Sequence, residues 1–142
     1  MGLRNKLAIG LVTGILTLVL TSAASFAAPA QFPNFFYGDA TLDGAPAPVG
    51  SVVTAVVDHN TPTERHYVLN VSPVGKFGGP RYNQRKLKVG GDLQGNIAHG
   101  SEILFFVTSG PLAHGTTLTP AGTGVFRASS WPQIIRLSLV QN

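Results

Sequence analysis

The sequence predicts an all-β protein, a single antiparallel seven-stranded β-sandwich preceded by a helical signal peptide. Apolar residues alternate with period two in several short segments, and no segment after the first 30 residues has helical apolar spacing. The 17 Gly and 10 Pro residues place frequent turns between these segments. A small β-barrel is the alternative architecture. The chain has no Cys, which excludes disulfides, thiolate metal sites and a cysteine nucleophile.

The N-terminus has the three regions of a secretory signal peptide. Arg4 and Lys6 precede an uncharged apolar stretch at positions 7–20, and small residues follow it. We expect cleavage after Ala27, or alternatively after Ala30. The rival interpretation is an uncleaved anchor helix, but the apolar stretch is shorter than the about 20 residues that a membrane span needs.

The domain organisation follows from this leader. Residues 1–27 are predicted to be the signal peptide, residues 28–34 an extended segment and residues 35–142 the sandwich domain. The protein is therefore expected to be secreted or at the cell surface, with no membrane span after cleavage. Loss of Arg4 and Lys6 lowers the formal net charge from +4 to +2. So small a charge argues against an intracellular nucleic-acid partner.

The first half of the domain contains three predicted strands. Residues 35–42 alternate, and the Asp43-Gly44 pair that follows indicates a tight hairpin, because both residue types tolerate positive φ. Residues 51–58 are apolar on both faces, which is typical of a central strand. After a turn at residues 59–62, residues 64–71 form the third strand.

The second half is less regular. The glycine-rich passage 75–100 contains a short candidate strand at residues 85–89, and residues 102–107 (EILFFV) give the clearest buried strand. Residues 115–118 and 124–127 are candidates for short strands. The chain closes with a strand at residues 134–140, in which Ile135, Leu137 and Leu139 face inward.

Two segments carry a family resemblance. Residues 36–55 (FYGDATLDGAPAPVGSVVTA) resemble the first hairpin of prealbumin-like, or carboxypeptidase-regulatory-like, β-sandwich domains of exported prokaryotic proteins. Residues 100–107 (GSEILFFV) are similar to the stretch that introduces a core strand in that family. The resemblance implies an Ig-like or prealbumin-like sandwich that acts as an accessory, adhesive or surface module. It implies no catalytic residue, and the long, basic passage 75–100 departs from the family pattern.

One short segment holds five cations and no acid, with Phe77 and Tyr82 between them: Lys76, Arg81, Arg85, Lys86 and Lys88. Such a cluster could bind an anionic glycan or another cell-surface polymer. The alternative interpretation, which the sequence favours, is a solvated edge where Lys and Arg prevent strand pairing. Tyr82 and Trp131 are candidates for ligand stacking, although the favoured interpretation of Trp131 is that it covers one end of the sandwich.

No catalytic, cofactor or metal residue is predicted. The histidines are not two to four residues apart, so they are interpreted as turn residues, although a site assembled in space stays open: His59, His66, His99 and His114. The acids are scattered, and the chain lacks a G-x-S-x-G elbow. A small secreted hydrolase, the enzyme alternative, would need two acids or a His–acid pair in one pocket.

We therefore expect a secreted, non-enzymatic β-sandwich module with a binding, adhesive or surface-structural role. Its expected partner is an anionic glycan or cell-surface polymer. The alternative is a self-associating extracellular structural subunit. That alternative rests on the low charge, 11% of residues, and on the apolar segment 28–36, which could add a strand to a neighbour.

Overall fold

The computed structural model describes residues 31–92 and 95–142, and the predicted signal peptide lies outside this part. The described residues form two β-sheets and contain no helix. Accordingly, none of them belongs to a helix with the length and hydropathy needed to cross a membrane. The strands are β1 (Asn34–Leu42), β2 (Ala45–Pro46), β3 (Val52–Val57), β4 (Arg65–Asn70), β5 (Lys76–Phe77), β6 (Leu87–Val89), β7 (Glu102–Thr108), β8 (Gly122–Val125) and β9 (Gln133–Gln141).

The first sheet is organised around β1. One edge of β1 pairs in parallel with β9 along the whole strand, from Asn34 opposite Gln133 to Leu42 opposite Gln141. The other edge pairs antiparallel with β6, β5 and β2 in turn. Three short strands thus share one edge of a single long strand, and every strand of this sheet depends on β1.

The second sheet has the order β4-β3-β7-β8, and all of its pairs are antiparallel. The central strand is β3, which pairs with β4 on one side and with β7 on the other over all six of its residues. Residues 53–57 are buried on both faces of the sheet. The structure therefore confirms the prediction of a central strand in this segment.

The two sheets pack face to face through large apolar side chains. The Phe36 ring of the first sheet meets the Phe105 ring of the second edge to face, with ring centroids 5.0 Å apart. Buried residues of both sheets belong to one cluster, which includes Phe36, Ala40, Phe77, Leu87, Val89 and Leu139 from the first and Val53, Ala55, Val57, Ile103, Phe105 and Val107 from the second. This arrangement is consistent with a β-sandwich.

The outer face of the second sheet is also buried in part. Thr54, Val56 and Phe106 are almost inaccessible, yet they alternate along β3 and β7 with the residues of the intersheet core. They must therefore point to the opposite side of the sheet, because successive side chains on a strand point to opposite faces. The segment 109–121, which joins β7 to β8, is tied to this side, as described below.

The Asp43-Gly44 hairpin is confirmed. Leu42 pairs with Ala45, so the turn contains two residues, and both have positive φ, 52° at Asp43 and 77° at Gly44. Two positive φ values in succession are typical of a type I′ turn, whose twist matches that of paired strands.

Several predictions about strands are wrong. The described chain has nine strand segments instead of seven, because β2 and β5 are two-residue pairings that alternation cannot reveal. The β1–β9 pair is parallel, so the sheets are not purely antiparallel. Residues 115–118 form no strand, since Gly115 has a φ of 67°. The predicted strand at 124–127 lies two residues earlier, at Gly122–Val125.

Part of segment 28–36, which was predicted to add a strand to a neighbour, is already paired within the chain. Residues 28–30 lie outside the described part, but residues 34–36 pair with β6 on one edge and with β9 on the other. Both edges of this part of β1 are therefore occupied within the chain. It cannot add a strand to a neighbour without giving up these pairs.

At Gly38 the backbone of β1 lies too close to the backbone of β9 to leave room for a side chain. Gly38 has a φ of 154°, and an added Cβ would overlap the carbonyl oxygen of Leu137, its partner on β9. We expect Gly38→Ala to lower the free energy of unfolding by at least about 2 kcal/mol, because backbone atoms must separate. Urea denaturation of the purified protein measures this change.

Gly110→Ala is the matched control. Gly110 has open space around the position of a Cβ, and we expect a change within about 0.5 kcal/mol. Equal stability of the two variants would contradict the assignment of Gly38 as a packing constraint.

Candidate functional site

An open cleft of about 500 Å³ lies on the first sheet, and we call it the aromatic cleft. It is lined by Phe35, Tyr82, Gln84, Lys86, Trp131, Pro132 and Ile134. Phe35 and Ile134 are direct partners in the β1–β9 ladder, so they provide neighbouring side chains on the outer face of this sheet. The cleft therefore exists because the first and last strands of the fold are paired.

The two ligand-stacking candidates line this same cleft. Tyr82 is fully exposed, and Trp131 is 76% exposed. The prediction that Trp131 covers one end of the sandwich therefore does not describe its setting, because a covering residue would be buried. Two aromatic rings open to solvent beside one cleft form an exposed apolar surface, which is typical of a binding site.

Hydrogen bonds fix the segments that carry these rings. The Lys86 ammonium donates to the Arg81 and Gln84 carbonyl oxygens at 2.5 and 3.2 Å, and so closes the turn around Tyr82. On the other side, the backbone N–H of Trp131 donates to the Ser129 hydroxyl at 3.2 Å. The Lys86 ammonium is thus engaged by carbonyl groups of its own segment.

The structure divides the predicted cluster of five cations. Arg81, Arg85 and Lys88 are exposed on the same segment as the aromatic cleft, and none of them forms a salt bridge within residues 31–92 and 95–142. Lys76 instead donates to Asp39 at 2.6 Å. The sequence could not predict this division, because Asp39 lies on β1, far from the cations along the chain.

Asp39 belongs to a second, smaller groove. Its carboxylate also accepts from Arg136 at 3.1 Å, and the groove of about 300 Å³ around them is lined largely by glycine and proline. Hydrogen bonds from Lys76 and then from Arg136 lower the pKa of the Asp39 carboxyl. With one carboxylate held between two cations, this groove offers an anionic ligand less net positive charge than the segment 81–88.

A second polar site lies at the start of β4, and we call it the Glu64 cluster: His59, Glu64, His66 and His114. The Glu64 carboxylate accepts from His66 Nε2 at 2.7 Å and from His59 Nδ1 at 3.0 Å. His114 Nδ1 lies 3.4 Å from the same carboxylate, and the His114 ring stacks on the His66 ring with centroids 4.1 Å apart. Three of the four histidines therefore surround one acid.

The Glu64 carboxylate is buried and ionised. Its side chain is only 4% exposed. Burial raises the pKa of this carboxyl, but hydrogen bonds from the Asn60 and Gly115 amides and from the His66 and His59 imidazoles outweigh burial and lower the pKa to about 2. The backbone donors lie at 2.7 and 2.9 Å from its two oxygens.

The Glu64 cluster also fastens the segment 109–121 to the second sheet. Gly115 donates from this segment to Glu64, and His114 stacks on His66 of β4. His66 is the pairing partner of the buried Val56, so the cluster sits beside the buried outer face of the sheet. A connection of this length without strands of its own is uncommon and is often functional.

Sequence reasoning missed the Glu64 cluster. The search for close histidine pairs on one element could not find it, because His114 reaches the site from another segment. One local signal was present, since Glu64 and His66 are two residues apart at a strand and therefore share a face. His99, the remaining histidine, is exposed and takes no part in the cluster.

Comparisons with protein-family models, with curated proteins and with solved structures find no match for this chain. The two sites are therefore interpreted from their own geometry.

The Glu64 cluster generates a pH-dependent stability prediction. The folded-state pKa of about 2 lies below the ordinary value of 4.5. The ionised carboxylate thus stabilises the fold fully above about pH 4.5, and this contribution is lost as the pH falls toward 2. We expect Glu64→Gln to destabilise the protein by on the order of 3 kcal/mol at pH 7, because an amide has one acceptor oxygen for several donors.

Urea denaturation of both proteins between pH 7 and pH 3 measures this difference, which should narrow as the pH falls. His59, His66 and His114 face the side chain of residue 64 and are the same in both proteins. Glu102→Gln is the control, because Glu102 is exposed on β7. A stability difference that does not change with pH would show that the Glu64 charge is not the cause.

Proposed function

We propose that this protein is a secreted, non-enzymatic β-sandwich module that binds an anionic glycan or a similar cell-surface polymer in the aromatic cleft. The observation that carries the proposal is the position of Tyr82 and Trp131 beside one open cleft, both largely exposed. Two further features of the cleft support the proposal, the cations on the segment beside it and the lack of an acid, a histidine or a serine among its described lining residues.

The lining of the cleft fits a sugar chain. A sugar ring has an apolar C–H face, which can stack on an aromatic ring, and hydroxyl groups around its edge that need hydrogen bonds. Tyr82 and Trp131 offer rigid aromatic surfaces, while Gln84 and the Tyr82 hydroxyl offer polar contacts. A mainly apolar site with a few polar groups is the usual composition of a ligand pocket.

The charge near the cleft favours an acidic polymer. Arg81, Arg85 and Lys88 are exposed on the segment that carries Tyr82 and have no acidic partner among the described residues. Their combined field attracts an anion and is screened by salt. Lys76, which Asp39 neutralises, is left out of this proposal.

The non-enzymatic role is supported by the residues that line the cleft. None of those described is an acid, a histidine or a serine, and the Lys86 ammonium is engaged by carbonyl oxygens of its own segment. The hydrolase alternative requires two acids or a His–acid pair in one pocket. A groove of about 320 Å³ lined by Asp58, His59, Ser101, Glu102 and Leu104 brings such groups together, but there His59 is hydrogen-bonded to the Glu64 carboxylate and Asp58 is paired with Arg65.

The prealbumin-like class and secretion are part of the same proposal. The class is supported by the Asp43-Gly44 hairpin, which is followed by the central strand β3. Secretion is supported by the charge and apolarity of residues 1–27.

Self-association through β9 is a second candidate function. Among the described strands, β9 pairs only with β1, so its other edge has no strand partner, and at one end of that edge the Val140 N–H donates to the Ala121 carbonyl oxygen at 3.1 Å. Val140 and Ile134 are about half exposed on its outer face. An unpaired edge with exposed apolar side chains can pair with another chain.

Glycan binding is tested on a glycan array and by heparin affinity. We expect Trp131→Ala and Tyr82→Ala each to weaken glycan affinity about tenfold, because each removes one aromatic surface of the cleft. The matched control is Phe32→Ala, since Phe32 is an exposed aromatic residue that does not line the cleft.

The contribution of positive charge to binding is tested with separate variants. Joint neutralisation of Arg81, Arg85 and Lys88 by Gln should lower the salt concentration at which the protein leaves heparin, whereas Lys76→Gln should change it little. If only the cation variants matter and both aromatic variants bind like the wild type, the aromatic cleft is not the binding site.

Self-association is tested by light scattering at several protein concentrations. If β9 mediates it, the mass should rise with concentration, and Val140→Lys should abolish the rise by placing a charge on this strand. Val49→Lys is the control, because Val49 is an exposed apolar residue in a turn. A mass that corresponds to the monomer at every concentration would exclude self-association through β9.

A further inference from the structure

We propose that the Glu64 cluster is a binding site for a divalent transition-metal ion of the zinc class, with Glu64, His66 and His114 as its ligands. This site is separate from the aromatic cleft and goes beyond the proposed glycan binding. It differs from the expectation that the histidines are isolated turn residues. Three features support this site: the positions of three ligand atoms, the crowding at one carboxylate oxygen and the groups that orient the carboxylate.

The ligand atoms are close enough to share one ion. One carboxylate oxygen of Glu64, one ring nitrogen of His66 and one of His114 all lie within 4.8 Å of one another. Two ligands about 2.1 Å from a tetrahedral zinc ion are separated by about 3.4 Å. The distance from Glu64 Oε1 to His114 Nδ1, 3.4 Å, matches this separation, whereas the 2.7 Å hydrogen bond from His66 Nε2 to Oε1 must lengthen when an ion binds between them.

The Oε1 oxygen of Glu64 is crowded with donors. It accepts from the Gly115 amide at 2.9 Å and faces both His66 and His114. A carboxylate oxygen has two lone pairs, and the Gly115 and His66 hydrogen bonds use both, although the His114 ring nitrogen also lies nearby. A metal ion that replaces the His66 hydrogen bond would use one lone pair of Oε1 and the lone pairs of both imidazole nitrogens.

The carboxylate is also oriented as metal-binding carboxylates are. Its other oxygen, Oε2, accepts from the Asn60 amide and from His59 Nδ1 at 2.7 and 3.0 Å. Such outer hydrogen bonds fix the direction of a ligand and are a regular part of metal sites. His59 is thus a positioning residue in this proposal, and it is not a ligand.

One adjustment is needed for the ion to bind. The His66 and His114 rings are nearly parallel, with an angle of 14° between their planes, so their lone pairs do not yet meet at one point. The His114 side chain is 71% exposed and can turn about its Cβ–Cγ bond. The His66 proton, which Nε2 now donates to Glu64, must move to Nδ1.

The ligand set determines the class of ion. Two imidazole nitrogens and one carboxylate oxygen suit zinc, and three protein ligands leave a fourth position for water. An ion held in this way would join β4 to the segment 109–121. Metal binding should therefore stabilise the fold as well as fill the site.

The experiment uses the protein without a polyhistidine tag, stripped of metal with a chelator, and titrates it with Zn²⁺ in a calorimeter. We expect one Zn²⁺ per chain and a rise in the thermal midpoint when Zn²⁺ is present. His66→Ala and His114→Ala should each weaken the affinity by about 10- to 100-fold and reduce the thermal shift. His99→Ala, which removes a histidine outside the cluster, should bind like the wild type.

The His114→Ala variant separates loss of metal binding from loss of folding. Glu64→Gln removes a buried charge and could unfold the protein, whereas His114 is exposed and its removal leaves the hydrogen bonds of Glu64 in place. The absence of Zn²⁺ binding by the wild type would overturn the proposal. Unchanged affinity in both His66→Ala and His114→Ala would also overturn it, and the cluster would then be a hydrogen-bonded anchor only.

Discussion

The parallel pairing of β1 with β9 is the interaction on which the first sheet and its candidate site depend. Every other strand of that sheet pairs with β1, and β9 occupies the whole of its remaining edge. The same pairing places Phe35 beside Ile134, which form part of the aromatic cleft. A close backbone approach at Gly38 accompanies it. Fold stability and the shape of the cleft are therefore set by the same ladder.

The second sheet depends on a polar interaction. The intersheet core covers only its inner face, and the buried Thr54, Val56 and Phe106 show that the outer face is shielded as well. The buried Glu64 carboxylate fastens the segment 109–121 to this side through Gly115. A buried charge is costly unless it is fully hydrogen-bonded, and the donors around Glu64 meet that requirement. The two candidate sites thus use different chemistry on different sheets, exposed rings on one and a buried acid with histidines on the other.

Sequence patterns predicted the features that depend on residues close together in the chain, namely the strand positions and one turn. Alternation located β1, β4 and β9, and continuous apolar runs located β3 and β7, because burial of one or both faces dictates the pattern. Asp43-Gly44 predicted its turn because few other pairs accept two positive φ values. Partners distant in the chain could not be predicted in this way. The parallel β1–β9 pair, the Lys76–Asp39 ion pair and the approach of His114 to Glu64 each join segments whose own residues give no sign of the other.

The parallel ladder has a consequence for the order of folding. Asn34 pairs with Gln133, so the first sheet closes only when segments about 100 residues apart in the chain meet. Closing so long a loop costs conformational entropy before most of the contacts form, which slows folding. Until β9 arrives, β1 has an open edge over nine residues. The second sheet, whose β3–β4 hairpin is local, can form first and serve as the surface on which the two ends of the domain assemble last.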